Sequence, residues 1–156
     1  MKHQDYLRHA VALAQEKMQE GAGGPFGAVI VMGQEIIAQG WNQVTSTNDP
    51  TAHAEITAIR TATKKIASFS LTGGILYSSC EPCPMCLAAA YWARLDGIVF
   101  ANTRAEAAAI GFDDEMIYRE LALPNSERLL PITHMPLKEA ALVFQLWESK
   151  TDKIAY

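Results

Sequence analysis

Two short segments hold the residues whose types and spacing can do chemistry: Thr51-Ala52-His53-Ala54-Glu55 and Ser79-Cys80-Glu81-Pro82-Cys83-Pro84-Met85-Cys86. Together they spell H-x-E and, after 26 intervening residues, P-C-x-x-C. Cys83 and Cys86 stand three apart where prolines open a helix, so both fall on one face and can grip one ion. A helix N-terminus also favours the thiolate, the form that binds metal. An imidazole nitrogen from His53 completes a set of three soft or borderline donors suited to tetrahedral Zn²⁺. Three protein ligands leave the fourth position for water, which is a catalytic arrangement. Glu55 lies two residues from His53, and residues two apart on a helix point to different sides. Helical side chains lean toward the N-terminus, however, so both can reach around a helix end and border one space. A carboxylate there can take a proton from an activated water and deliver it to a substrate and its leaving group. That pairing suits hydrolytic attack at an amine-bearing ring carbon.

Plainer readings exist for each residue. A lone histidine on a helix is usually structural, and cysteine pairs are often buried apolar residues. Cys80, Cys83, Cys86 and His53 would also make a closed, non-catalytic Cys₃His zinc site. That reading accounts for every cysteine but gives Glu55 no task. In the catalytic reading Cys80 is a buried thiol at a strand end. His3, His9 and His134 have no partner pattern and read as surface or core histidines. Asp113, Asp114 and Glu115 most simply cap and charge a helix start.

The elements that must position these residues follow from periodicity and turn chemistry. Leu7, Val11, Ala14 and Met18 recur at helical spacing and predict a first helix from about Lys2 to Glu20, ended by Gly21, Gly23 and Gly24. Ala28-Val29-Ile30-Val31 and Glu35-Ile36-Ile37-Ala38 flank Met32-Gly33-Gln34 as a β-hairpin. A polar loop from Asn42 to Asp49 leads to Pro50, expected at the first position of a helix capped by Asp49, with Ile56, Ile59, Thr63 and Ile66 as its buried stripe. Ile75-Leu76-Tyr77 reads as a third strand, Pro82 and Pro84 open a third helix ending near Arg94, and Ile98-Val99-Phe100 forms a parallel strand after that crossover. Helical stretches around Asp113 to Leu121 and Lys138 to Trp147 flank an expected short strand near Ile132. The sum is a mixed central sheet with helices on both faces, a three-layer α/β/α domain.

Composition bounds the remaining possibilities. At 156 residues the chain suits a single domain, 1–156, with 150–156 as a C-terminal tail. With 13 Lys plus Arg against 17 Asp plus Glu, the net charge is −4, which argues against a nucleic-acid-binding surface. No apolar run approaches the ~20 residues of a membrane span, and the N-terminus lacks an apolar signal core. Three cysteines clustered within seven positions cannot build a disulfide framework. A cytoplasmic protein is expected.

The chain resembles the cytidine-deaminase-like superfamily and within it is similar to the bacterial guanine deaminases. The likeness runs from end to end, through GGPFGAVIV, WNQVTSTNDPTAHAEITAIR, YSSCEPCPMCLAAAYWAR and GFDDEMIYREL. The zinc motif carries the superfamily, and the other stretches with the terminal Tyr156 carry the guanine group. The surroundings of Phe144-Gln145-Leu146-Trp147 fit the pattern least well. The resemblance implies that His53, Cys83 and Cys86 hold one zinc per chain and that Glu55 shuttles protons. It implies that Asn42 hydrogen-bonds a purine ring, that Phe26 packs against its face and that Asp114 accepts hydrogen bonds from the base. It further implies a homodimer in which Trp92 and Tyr156 reach a pocket across the interface, with exchanged C-terminal segments as one form of it.

The implied reaction is hydrolytic deamination of guanine to xanthine and ammonia. Deamination of guanosine or another nucleoside would use the same chemistry. A tRNA adenosine deaminase shares both motifs but must bind a polyanion, largely through Lys and Arg, which the acidic balance opposes.

Overall fold

The computed structural model describes residues 2–156. In chain order its elements are α1 (His3–Gln19), β1 (Gly27–Met32), β2 (Glu35–Trp41), α2 (Val44–Thr47), α3 (Ala54–Ile66), β3 (Gly74–Cys80), α4 (Pro84–Trp92), β4 (Gly97–Asn102), α5 (Arg104–Ala109), α6 (Glu115–Ala122) and α7 (Lys138–Ser149). A 3₁₀ turn spans Asn125–Glu127. The described chain divides into two compact units, one up to Met116 and one from Ile117 onward.

The first unit is built on a four-stranded sheet in the order β2-β1-β3-β4. β1 pairs antiparallel with β2 and β3, and β3 pairs parallel with β4 across the α4 crossover. The β1–β2 hairpin turns at Gly33 and Gln34, both at positive φ, as the two-residue turns that match strand twist require. Strand alternation then sorts side chains to the two faces. Ala28, Ile30 and Leu76 meet Ala54, Ala58 and Ala62 of α3 on one side. Val29, Val31 and Tyr77 meet Tyr6 of α1 on the other. Helix, sheet and helix make the expected three layers.

The faces that the helices bury match the expected stripes in part: Ala14 and Ile56 are buried, and Leu7 and Ile59 pack against the core. α1 buries Tyr6, Ala10, Leu13 and Ala14, leaving Val11 and Met18 exposed. α3 buries Ala54, Glu55, Ile56, Ala58 and Ala62, and Ile66 is exposed. The reason lies in the sheet. A Cβ added to Gly40 on β2 would come within 2.4 Å of the Ala54 carbonyl and the Ala58 nitrogen, and one added to Gly27 on β1 within 2.4 Å of the Ala10 carbonyl. The helices lie directly on these glycines, so at the crossing points small residues, Ala10 and Ala14 on α1 and Ala54 and Ala58 on α3, face the sheet.

Two further expectations are corrected. Asp49 does not cap a helix beginning at Pro50. Its Oδ1 instead accepts from Thr51 N at 2.8 Å and Thr51 Oγ1 at 2.7 Å, closing a local turn, and α3 begins at Ala54. No strand forms near Ile132, because 128–137 runs as irregular chain between the 3₁₀ turn and α7.

The second unit is held locally by Arg128, which donates from Nε to the Leu123 carbonyl at 3.0 Å and from its guanidinium to the Leu121 carbonyl at 3.4 Å. Its large apolar side chains are exposed: Phe144 is 79% and Met135 76% accessible. None of its described residues is buried.

Candidate metal centre and active site

The correction at Pro50 places His53 as the N-cap of α3, in extended conformation at φ −68° and ψ 159°. Cys83 occupies the same position on α4, at φ −65° and ψ 169°, followed by Pro84 in the first turn. Two helix N-termini therefore converge. His53 Nδ1 lies 3.6 Å from Cys83 Sγ and 3.5 Å from Cys86 Sγ, and the three donor atoms fall within 4.8 Å of one another. Tetrahedral zinc, with bonds of ~2.3 Å to sulfur and ~2.0–2.1 Å to nitrogen, separates such donors by about 3.5 Å. The donor set and its spacing fit the ion.

The protonation pattern agrees with that fit. The Cys86 thiol hydrogen-bonds Cys83 and, against burial, draws the Cys83 thiol down to about 4, with His53 assisting. The proton kept between the sulfurs pushes Cys86 up correspondingly. Hydrogen bonding to Cys83 raises His53 against its own burial. A thiolate beside a cationic or shared proton is the state that a metal cation replaces. Cys80 is separate. Its thiol is pushed up to about 11, chiefly by burial, and its Sγ donates to the Thr103 carbonyl at 3.8 Å. It lies outside the three-donor cluster, as the catalytic reading expects.

Glu55, in the first turn of α3, is only 6% exposed. Burial raises its carboxyl above the usual range, and Ser78 Oγ donates to its Oε1 at 3.0 Å. A hydrogen bond from Cys86 opposes that rise, and the negative Cys83 adds to it. A buried carboxyl with raised proton affinity beside a three-donor metal set is equipped to accept and return a proton.

The other expected residues are placed on several different elements. Asn42 follows β2 and is buried, its Oδ1 accepting from Val44 N at 3.2 Å and Gly24 N at 3.4 Å. A Cβ at Gly23 would strike the Asn42 carbonyl at 1.6 Å, so the glycine run does more than end α1. Phe26 meets Phe112 edge-on, with ring centroids 4.8 Å apart. Asp113, rather than Asp114, caps α6 by accepting from Glu115 N at 2.9 Å. Partial burial raises the Asp114 carboxyl, the negative Cys83 adds to that and Arg104 opposes it, which puts Asp114 in the electrostatic reach of the metal centre. Trp92 sits 64% exposed at the end of α4 and lines a surface pocket with Tyr91 and Arg94. Tyr156 belongs to the second unit and is 72% exposed.

Sequence reading missed Ser78 and Phe112. Ser78 gave no motif, only the oddity of a hydroxyl on a strand face that continues from Leu76. Phe112 stood in plain sight beside Asp113, but its ring partner is distant in sequence.

A family model for the cytidine and deoxycytidylate deaminase zinc-binding region matches residues 1–102. The chain is 50% identical over 156 residues to the guanine deaminase of Bacillus subtilis, covering 100% of both chains. It superimposes on the X-ray structure of that enzyme with a TM-score of 0.98, covering 100% of this chain and 99% of the other. It is 34% identical over 160 residues to a tRNA-specific adenosine deaminase of Haemophilus influenzae, covering 94% and 92% of the two chains. A solved structure in complex with 2,6-diaminopurine matches at a TM-score of 0.68 and 30% identity, over 72% of this chain and 63% of that one.

Proposed function

This chain belongs to the zinc-binding cytidine and deoxycytidylate deaminase family, and from that premise we propose that it hydrolyses guanine to xanthine and ammonia. One observation carries the chemistry: a buried carboxyl, Glu55, in the first turn of the helix that His53 caps, with His53, Cys83 and Cys86 clustered at a spacing that fits zinc. The full-length likeness to the Bacillus subtilis guanine deaminase supports the substrate.

His53, Cys83 and Cys86 would hold zinc, which when bound would lower the pKa of a water toward neutrality and so supply the nucleophile. The remaining steps belong to Glu55. Its carboxylate takes a proton from the attacking water and passes it to a ring nitrogen, making the amine-bearing carbon electrophilic. The second water proton travels by the same carboxyl to the amino group, which departs as ammonia. Asn42 hydrogen-bonds the purine, Phe26 packs on its face with Phe112 behind it, and Asp114 accepts from adjacent N–H groups of guanine. The raised carboxyl of Asp114 still ionises as pH rises, giving the base two charge-assisted acceptors.

The likeness to a tRNA-specific adenosine deaminase favours a second reading, with an adenosine in RNA as substrate. The net charge of −4 opposes it. Steady-state kinetics on guanine, guanosine and an adenosine-bearing tRNA anticodon stem-loop decides the matter. Guanine is expected to have the highest kcat/KM, and preferred turnover of guanosine or the stem-loop overturns the assignment.

The assembly is read as a homodimer. The second unit has no buried residue among those described, and its leucines, Phe144 and Trp147 are exposed. A segment of this composition gains stability by laying those side chains on another copy. Exchange of C-terminal segments would bring Tyr156 to a partner's pocket, which Trp92 on α4 would reach across the interface. A cytoplasmic setting suits a centre that requires free Cys83 and Cys86 thiols.

A further inference from the structure

β3 presents alternate residues to opposite faces, and Ser78 shares the α3 side with Leu76. On that side the sheet meets Ala54, Ala58 and Ala62, so a hydroxyl is out of place unless something requires it. Ser78 is 1% exposed, and its Oγ donates to Glu55 Oε1 at 3.0 Å. Its backbone is clamped on both sides, opposite Ala28 of β1 and Phe100 of β4. The donor therefore stands on an interior strand, paired with a neighbour on each side.

Glu55 needs such a support. The terminal torsion of a glutamate is broad, so a carboxylate anchored only by its own helix can turn freely. A proton carrier must meet its donor and acceptor at hydrogen-bond distance, and a displacement of about 1 Å costs roughly a hundredfold in rate. We propose that Ser78 is a positioning residue: by holding Oε1 of Glu55 from β3, it fixes the carboxyl plane and presents the second oxygen to the reacting atoms. The inference rests on the deaminase reading of Glu55 given above. It assigns Ser78 no contact with substrate or metal.

The test is a double-mutant cycle on the zinc-loaded enzyme, measuring kcat, KM and zinc per chain for Ser78→Ala, Glu55→Gln and the pair. Ser78→Ala removes one oxygen atom and adds no bulk. It should lower kcat roughly ten- to a hundredfold, with KM and zinc content unchanged. Ser78→Thr, which keeps the hydroxyl, should recover most of that loss. In the Glu55→Gln background Ser78→Ala should cost nothing further, because the side chain it positions no longer carries protons. A merely structural serine would cost the same factor in both backgrounds, and that result overturns the proposal. So does a Ser78→Ala variant with the parent kcat, or one whose only defect is lost zinc. If the parent itself converts no guanine, the deaminase reading fails before any variant is compared.

Discussion

Glu55, Cys80 and Asp114 each separate one account of the site from another. Glu55→Gln keeps shape and removes the proton carrier. Turnover should fall at least ~10²–10⁴-fold while zinc stays at one per chain, read by steady-state kinetics beside metal analysis. Cys80→Ser should leave zinc and turnover near parent values, because Cys80 lies outside the three-donor cluster. Cys83→Ser and Cys86→Ser should each reduce both. Equal metal loss in all three would restore the closed Cys₃His site. Asp114→Asn replaces a double acceptor with an amide. The kcat/KM for guanine should drop about ten- to over a hundredfold, the worth of one charge-assisted hydrogen bond, with zinc unaffected. Burial raises the Asp114 carboxyl, so it protonates earlier on acidification than an exposed aspartate. In the parent, guanine kcat/KM should therefore fall as pH drops through that raised value. A pH–rate profile with an acid limb that Asp114→Asn fails to alter would return Asp114 to a surface role.

At the scale of elements, Gly40 decides where α3 lies and hence where His53 and Glu55 stand. Gly40→Ala would place a Cβ 2.3 Å from Thr57 Oγ1 and 2.4 Å from two α3 backbone atoms, neither of which can rotate away. It should cost about 1–3 kcal/mol or more of stability and lower turnover as α3 is pushed off the sheet. Thermal melts and kcat on the same preparation measure both, and an unchanged melt would mean that α3 is not seated by this contact. The same contact explains what the sequence could and could not reveal. His53, Glu55, Cys83 and Cys86 were legible because metal chemistry constrains residue type and spacing within one or two turns. The hairpin, the parallel crossover and the three layers were legible from apolar runs and glycines. The buried faces of α1 and α3 were legible only in part: Ala14 and Ile56 were expected, but Ala10, Ala54, Ala58 and Ala62 were not, since alanine is required there by Gly27 and Gly40, which lie on other elements. Asp49-Pro50 imitated a helix start because an aspartate that closes a turn and one that caps a helix use the same acceptor. Ser78 escaped notice because its meaning depends on Glu55, 23 positions away.

For the whole molecule the proposed role of the tail in closing a pocket can be measured. Lys150 and Asp152 pair within the tail, and the Lys153 ammonium donates to the Glu148 carbonyl, so the last turn is tied to α7 while Ile154 and Tyr156 remain exposed. If the tail closes a pocket as proposed, removing 150–156 should leave dimer mass and zinc content intact and reduce guanine turnover, since opening a pocket admits water and weakens its polar contacts. Light scattering, metal analysis and kinetics on the truncated chain provide the three readings. Undiminished turnover would reduce the tail to an idle end.

The β1–β2 turn has a practical use. β1 leaves Phe26 at Gly27 and ends at Met32, β2 returns to Trp41 beside Asn42, and Met32 pairs with Gly74 at the start of β3, whereas Cys80 closes that strand by the metal centre. Gly33 and Gln34 thus occupy the far rim of the sheet, about 20 Å of strand from the chemistry. Gln34 is tied down through its carbonyl, which accepts from Tyr6 Oη at 2.6 Å, while its side chain is exposed. The outer side of this turn is therefore a natural point of attachment: a fluorophore, a surface tether or a short inserted peptide placed there would handle the enzyme by the end it does not use.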